Sequence, residues 1–253
     1  MANVFVSGGT GYLGRPMIAE LLRRGHSVKC LYRARSRGRV SAGSMPVEGD
    51  PLASGTFEDE VEMGDTFVHL TGASRPAPWK GRQFEAVDGR SFEESLVVAR
   101  RRRVGHFVYL SVAHPAPIMR SYIEVRRRCE GRLVLSGLPV SILRPWYVLG
   151  EGHWWPFLLL PLYAVAERLG SLRAGALRLG LVTKDEMVAA AVWAVENPPI
   201  SIQTLPVPQI RAVGGLNQPG GPRSIPFELD GDPSASEHRM AARRFRQVER
   251  KIR

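Results

Sequence analysis

Cysteine is nearly absent from this chain. Two residues, Cys30 and Cys129, stand among 253, too few for a disulfide framework and placed in neither a CxxC pair nor a zinc-ligand spacing. That scarcity suits a reducing cytosol, and both thiols are expected to be buried packing residues. No metal site is expected. Long apolar runs are missing as well. A spanning helix needs about 18 apolar residues in succession, and the nearest approach, Trp154–Ala166, is interrupted by Pro156 and Pro161. No basic stretch precedes the first apolar run at Asn3–Ser7, so the expectation is a cytoplasmic chain without a signal peptide. Signatures of sequence-specific nucleic-acid readers are also lacking: no helix-turn-helix, zinc finger or RNA-binding motif is legible.

Acidic charge is in deficit. Lys and Arg number 35 against 24 Asp and Glu, a net charge of +11. Such a balance favours polyanions, membrane surfaces or phosphorylated ligands, although an arginine-rich genome produces the same bias. The arginines cluster: Arg33, Arg35, Arg37 and Arg39; Arg100 to Arg103; Arg126 to Arg128; and the segment Arg239–Arg253. Apolar residues make up 44% of the chain, enough for a sizeable core.

Strand and helix patterns alternate from the start. Val4–Val6 reads as a strand, Gly11–Arg24 as a helix with Leu13, Met17, Leu21 and Leu22 near helical spacing, and Ser27–Tyr32 as a second strand. Pro46–Val47 is a weak third strand and Thr66–Leu70 a fourth. Helix Arg82–Arg103, strand His106–Ser111, helix Ile118–Ser136 and strand Val140–Leu143 follow. The alternation predicts an α/β fold, a Rossmann-type doubly wound parallel sheet with right-handed crossovers. After Pro145 regularity drops. Trp154–Leu169 looks like a proline-broken helix, Leu177–Val182 a strand, Lys184–Glu196 a strong helix stopped by Pro198-Pro199, and Thr204–Val213 a last strand. The expected organisation is a nucleotide-binding domain over 1–150, a small substrate-side lobe over 151–213, and a Gly/Pro-rich and basic tail over 214–253.

One turn carries chemistry. Ser7-Gly8-Gly9-Thr10-Gly11-Tyr12-Leu13-Gly14 spaces three glycines as GxxGxxG between a strand and a helix. In that context Gly8 lets the chain turn sharply, Gly11 lets backbone approach a pyrophosphate, and Gly14 lets the helix pack close to the strand. The helix N-terminus offers N–H groups and a positive dipole end to the phosphates. A dinucleotide site is expected here, with Thr10, Tyr12 and Leu13 beside the glycines. An NAD-preferring site usually carries a carboxylate at the end of the second strand. Here the strand ends Leu31-Tyr32-Arg33-Ala34-Arg35. Arg33 and Arg35 suit a 2′-phosphate, so NADP(H) is favoured over NAD(H). Asp50, after Gly49, is placed toward the adenine side.

SGGTGYLG at Ser7–Gly14, Gly49-Asp50, HLTGAS at His69–Ser74, YLSV at Tyr109–Val112, LRPWYVLG at Leu143–Gly150 and the run Val182–Ala190 with Asp185 together resemble the short-chain dehydrogenase/reductase superfamily. The resemblance is to its extended and atypical branches, NAD-dependent epimerase/dehydratase-like, and spans about residues 3–213. The glycine spacing is not that of the shorter, single-domain reductases. Lean atypical members, including the NADPH-holding accessory subunit of respiratory complex I and NmrA-like regulators, are similar. The resemblance implies that Leu70, Thr71, Gly72 and Ala73 cover the cofactor and that Arg144, Pro145 and Trp146 pass the nicotinamide. It also implies a Ser, Tyr and Lys catalytic set in which a lysine lowers the phenol's pKa. The run here is Tyr122-Ile123-Glu124-Val125-Arg126, with arginine in the lysine's place, and Ser111 at or near the serine position.

Two functional expectations follow. One is an oxidoreductase or epimerase-like enzyme acting on a small carbonyl or quinone-like compound through Tyr122, Arg126 and Ser111. The other is a non-catalytic NADP(H)-binding scaffold or redox sensor that holds a protein partner. Little chain beyond Glu151–Val213 is available for a nucleotide-sugar domain. The aromatic segment Trp154–Tyr163 suits an apolar substrate, a membrane surface or another subunit. The tail Ala235–Arg253 reads as a basic, frayed segment, and peripheral membrane contact is an expectation for both.

Overall fold

A computed structural model describes residues 1–73, 78–116, 119–149 and 179–216 of the chain. Strand β1 (Asn3–Ser7) buries Val4, Phe5 and Val6 on both faces, as a central parallel strand must. Helix α1 (Gly14–Arg23) turns Gly14, Met17, Ile18 and Leu21 inward, one face at helical spacing. Strands β2 (Ser27–Tyr32), β3 (Met45–Glu48), β4 (Thr66–His69), β5 (His106–Leu110) and β6 (Val140–Arg144) follow. Between β4 and β5 lie a helical turn (Gly81–Gln83), a wider π-helical segment (Phe84–Gly89) and helix α2 (Arg90–Arg101). Helix α3 (Arg120–Val134) joins β5 to β6.

The short strands β7 (Tyr147–Leu149) and β8 (Leu181–Thr183) pair with each other in parallel, apart from the main sheet. Helix α4 (Lys184–Glu196), strand β9 (Ile202–Pro206) and helix α5 (Val207–Leu216) complete the described fold. The expected strand Thr204–Val213 is therefore a strand to Pro206 and a helix from Val207. The run VPQIRAVGGL buries Val207, Ile210 and Val213 at helical rather than alternating spacing. The expectations over Trp154–Leu169 and the tail 217–253 lie outside the described residues, as does Ser74.

The seven-stranded sheet runs β3-β2-β1-β4-β5-β6-β9, every pair parallel. From β1 the chain winds outward through β2 and β3, then returns to the other side of β1 for β4, β5 and β6. The direction of winding reverses between β1 and β4, and the carboxyl ends of those two strands flank the crevice in which such folds bind ligands. Apolar residues sit on both sheet faces. One core packs Met17, Ile18 and Leu21 with Met187, Val192 and Ile210, and the other packs Phe5, Phe67 and Phe107 with Phe92, Leu96 and Leu133.

Candidate functional site

The expected site residues gather at the carboxyl edge of the sheet. The glycine turn leaves β1, Leu70–Ala73 leaves β4, Ser111 follows β5, Pro145 and Trp146 follow β6, Arg33 follows β2, and Asp50 lies just beyond β3. Gly8 has φ +83°, and a Cβ on it would stand 2.7 Å from the carbonyl carbon of Leu70 and 2.8 Å from the nitrogen of Thr71. Neither the backbone angle nor the space admits a side chain. A Cβ on Gly14 would overlap the Gly8 carbonyl oxygen and stand 2.6 Å from Gly9 Cα. The turn closes with the Gly11 N–H donating to the Gly8 carbonyl at 3.0 Å. Helix α1 then begins with no side-chain cap and no acidic residue in its first turn. A helix end left so by its own sequence suits an anion. Ser7 and Thr71 hydroxyls meet at 2.6 Å, and the Leu70 N–H donates to the Ser7 carbonyl at 2.9 Å, tying the β4 loop to the end of β1. The residues present thus fit a dinucleotide pyrophosphate: backbone held close, glycines where a Cβ would fill the space, and no carboxylate in the turn to repel phosphate.

Arg33 and Arg35 are exposed at the end of β2, Arg33 preceding a 3-10 turn over Ala34–Arg39. One carboxylate oxygen of Asp50 accepts the Leu52 N–H at 3.0 Å, closing its own turn. Tyr12 is partly exposed, and the Lys184 ammonium at the start of α4 lies 5.8 Å from its ring centre. Leu13, Leu70 and Trp146 pack on the first core. Pro145 accepts the Ala113 N–H at 2.8 Å.

The three residues of the expected catalytic set have other partners. Tyr122 is half-buried, its ring centre 4.9 Å from that of Phe84. The Arg126 guanidinium carbon lies 5.1 Å from the centre of the Tyr122 ring. That guanidinium is itself buried and donates to Asp88 at 2.5 Å, to the Leu110 carbonyl at 2.7 Å and to the Tyr109 hydroxyl at 3.3 Å. Burial pushes the Tyr122 phenol above its ordinary value, and the Arg126 charge offsets part of this while Asp88 works against it. Ser111 donates a very short hydrogen bond to Glu130. Glu130 also accepts from Arg144 at 2.6 and 3.1 Å and faces His114 Nε2 at 3.4 Å. Burial would raise the Glu130 carboxyl, but the His114 contact and the Arg144 charge outweigh it and hold the group at about 2.

Sequence reasoning missed Asp88, Glu130 and His114. Asp88 stands 38 residues before its partner, and no local pattern links them. Glu130 follows Arg126 by one helical turn, a spacing that would have put it on the same face of α3. A groove of about 390 Å³ lies along α2 and Arg132, lined by Glu93, Leu96, Val97, Arg100 and Arg101. None of these belongs to the glycine turn, the 70–73 loop or the Tyr122 region.

A parallel sheet, a glycine cradle and a winding reversal above it define a dinucleotide-binding Rossmann protein. Residues 4–125 match the model of the NAD dependent epimerase/dehydratase family. Among curated relatives, divinyl chlorophyllide a 8-vinyl-reductase of Oryza sativa subsp. indica is 30% identical over 165 residues, 56% of this chain and 39% of that protein. A 4-hydroxy-2-methyl-3-oxo-4-farnesyl-3,4-dihydroquinoline-1-oxide ketoreductase of Stigmatella aurantiaca is 27% identical over 58% of this chain and 51% of its own length. The matched segment thus spans about half or less of these relatives. Thermus thermophilus UDP-glucose 4-epimerase, solved with NAD, superposes with a TM-score of 0.61 over 83% of this chain and 82% of that one at 18% identity, a likeness of fold. Among the described residues no helix is long and apolar enough to cross a membrane, and no group of His, Cys, Asp and Glu is arranged to hold a metal ion.

Proposed function

We propose that this chain binds NADP(H) at the glycine turn and transfers hydride to or from a small carbonyl or quinone-like compound. The end of β2 carries the cofactor preference. Arg33 and Arg35 follow Tyr32 directly and are exposed, with no carboxylate there to accept from a ribose 2′-hydroxyl. A planar guanidinium pairs with a 2′-phosphate through two charge-assisted hydrogen bonds. In this reading the turn Gly8–Gly14 holds the pyrophosphate, Asp50 faces the adenine side, and Leu70–Ala73 with Pro145 and Trp146 enclose the nicotinamide half. The bound cofactor supplies the hydride. Tyr122 is the acid/base, Arg126 its electrostatic partner and Ser111 the orienting donor. Two relatives named for reductions, of a vinyl group and of a ketone, support a redox role.

The partners of Arg126 favour a second reading, a protein that holds NADP(H) as a scaffold or redox sensor without Tyr122 chemistry. A guanidinium committed to Asp88 and Leu110, beside a phenol pushed upward, is a poor activator at neutral pH. Calorimetric titration with NADPH and NADH tests the cofactor assignment. Wild type should prefer NADPH, and Arg33→Ala should lose about tenfold or more of that affinity, the worth of a charge-assisted bond, while NADH binding stays unchanged. Equal binding of both dinucleotides would overturn the Arg33 argument. Tyr122→Phe then separates the two readings. The enzyme loses turnover with cofactor affinity intact, whereas the scaffold has no Tyr122-dependent turnover to lose.

A further inference from the structure

The loop that leaves β4 rests on a buried ion pair between Asp88 and Arg126. Asp88 is 1% exposed and Arg126 5%. One oxygen of Asp88 accepts Arg126 Nη2 at 2.5 Å, and the other accepts the Ala73 N–H at 2.9 Å. Arg126 Nη1 reaches across to the Leu110 carbonyl at the end of β5, 2.7 Å away. A Cβ on Gly72 would stand 2.7 Å from both Arg126 Nη2 and Asp88 Oδ1. The pair therefore presses on Gly72 and grips Ala73. On its other side the same loop lies on the glycine turn, through the Leu70 and Thr71 backbone against Gly8 and through the hydroxyl contact between Ser7 and Thr71.

We propose that the Asp88–Arg126 pair is a positioning device for the dinucleotide site: from beneath the loop it fixes Thr71–Ala73 against the glycine turn, and so sets how tightly the cofactor is held. The proposal rests on the dinucleotide reading and not on any chemistry at Tyr122. The residue types follow from the task. A carboxylate has two acceptor oxygens, one for the cation and one for the loop N–H. A guanidinium has a rigid fork that meets Asp88 and Leu110 at once, which one compact ammonium cannot reproduce. Burial of both charges makes the pair all-or-none, because either alone would be left uncompensated in the interior. The position that carries lysine in the YxxxK pattern is thereby committed to the loop.

The test uses the full-length chain as wild type, Arg126→Lys and Asp88→Asn, with Leu133→Ala as a control cavity in the second core. NADPH and NADH affinities are measured by calorimetry, amide exchange across Leu70–Ala73 without cofactor, and melting temperature for each. The expected result is a loss of NADPH affinity of at least about tenfold and exchange at least about tenfold faster in both site variants, including the charge-conserving Arg126→Lys. Leu133→Ala should melt lower yet keep affinity and loop exchange within about twofold of wild type, since it leaves the Asp88–Arg126 pair and its hydrogen bonds to the loop intact. If one site variant fails to fold, the other carries the comparison. Site variants that bind NADPH and exchange like wild type overturn the proposal, as does a Leu133→Ala protein that loses as much affinity as they do. Wild type that binds neither dinucleotide overturns the cofactor reading and the proposal with it. The wild-type titration thus judges the reading, and the comparison among variants judges the pair.

Discussion

At the residue scale, the buried charges near the end of β5 include two ion pairs, Asp88 with Arg126 and Glu130 with Arg144. Each pair is worth little as a net gain over apolar packing but costs about 3–5 kcal/mol when one partner is removed. Arg126→Ala and Glu130→Gln should each destabilise the fold by about that amount in urea titration at pH 7. Glu130 also carries a pH signature. Its folded pKa of about 2 lies below the ordinary 4.5. Its stabilisation is therefore complete above pH 4.5 and lost as pH falls from there toward 2, about 3 kcal/mol in all. Glu130→Gln should lack that part of the acid transition. Neither pair was legible in the sequence. Tyr122 and Arg126 stood out through their spacing, yet spacing along one helix does not say that Arg126 turns to a carboxylate delivered from the segment before α2.

At the element scale, local rules account for most boundaries. Helix α4 opens with a capping box, the Glu186 N–H donating to the Thr183 hydroxyl while the Glu186 carboxylate accepts the Thr183 N–H. Thr183→Ala should lower stability by about 1 kcal/mol, read as a shift in the denaturant midpoint at constant slope. Gly14→Ala places a Cβ onto the backbone of Gly8 and Gly9. It should cost about 1–3 kcal/mol through forced displacement and abolish dinucleotide binding in the same titration that reports NADPH affinity. Two of the departures from expectation show why packing was needed. The single helix expected over Arg82–Arg103 contains the π-helical stretch Phe84–Gly89, which brings Phe84 and Asp88 inward together. No propensity marks such a widening, because it is stabilised by the contacts it makes. The strand expected over Thr204–Val213 became β9 and α5 because Val207, Ile210 and Val213 recur at helical spacing, although Val and Ile as residue types favour strands until packing decides.

At the scale of the whole molecule, acid should unfold this protein in stages. Burial holds His69 near pKa 3 and His106 near 4, against an ordinary 6.5. Both are neutral in the fold and must charge on unfolding, so stability falls as pH drops below 6.5, by about 3 kcal/mol for His106 once pH reaches about 4. Urea titrations between pH 7 and 4 should show that decline in wild type and a shallower one in His106→Gln, which can keep a hydrogen bond to Ser141. The Glu130 transition follows at lower pH. Basic charge is spread over the exposed faces of α2 and α3, where Arg101, Arg128 and Arg132 pair with Glu58, Glu85 and Glu93. Exposed pairs of this kind contribute little to stability.

Local sequence was sufficient for the parallel α/β class, the glycine turn and the basic end of β2. Each depends on a short-range rule: alternation of apolar runs and helices, glycine where a Cβ cannot stand, and the residue types that follow one strand. Tertiary structure alone decided which charges meet. It carried Asp88 across 38 positions to Arg126 and set Glu130 among Ser111, His114 and Arg144. Side chains distant along the chain become neighbours only when helices pack on a common sheet, and burial then leaves each charge no alternative to the partner it finds there.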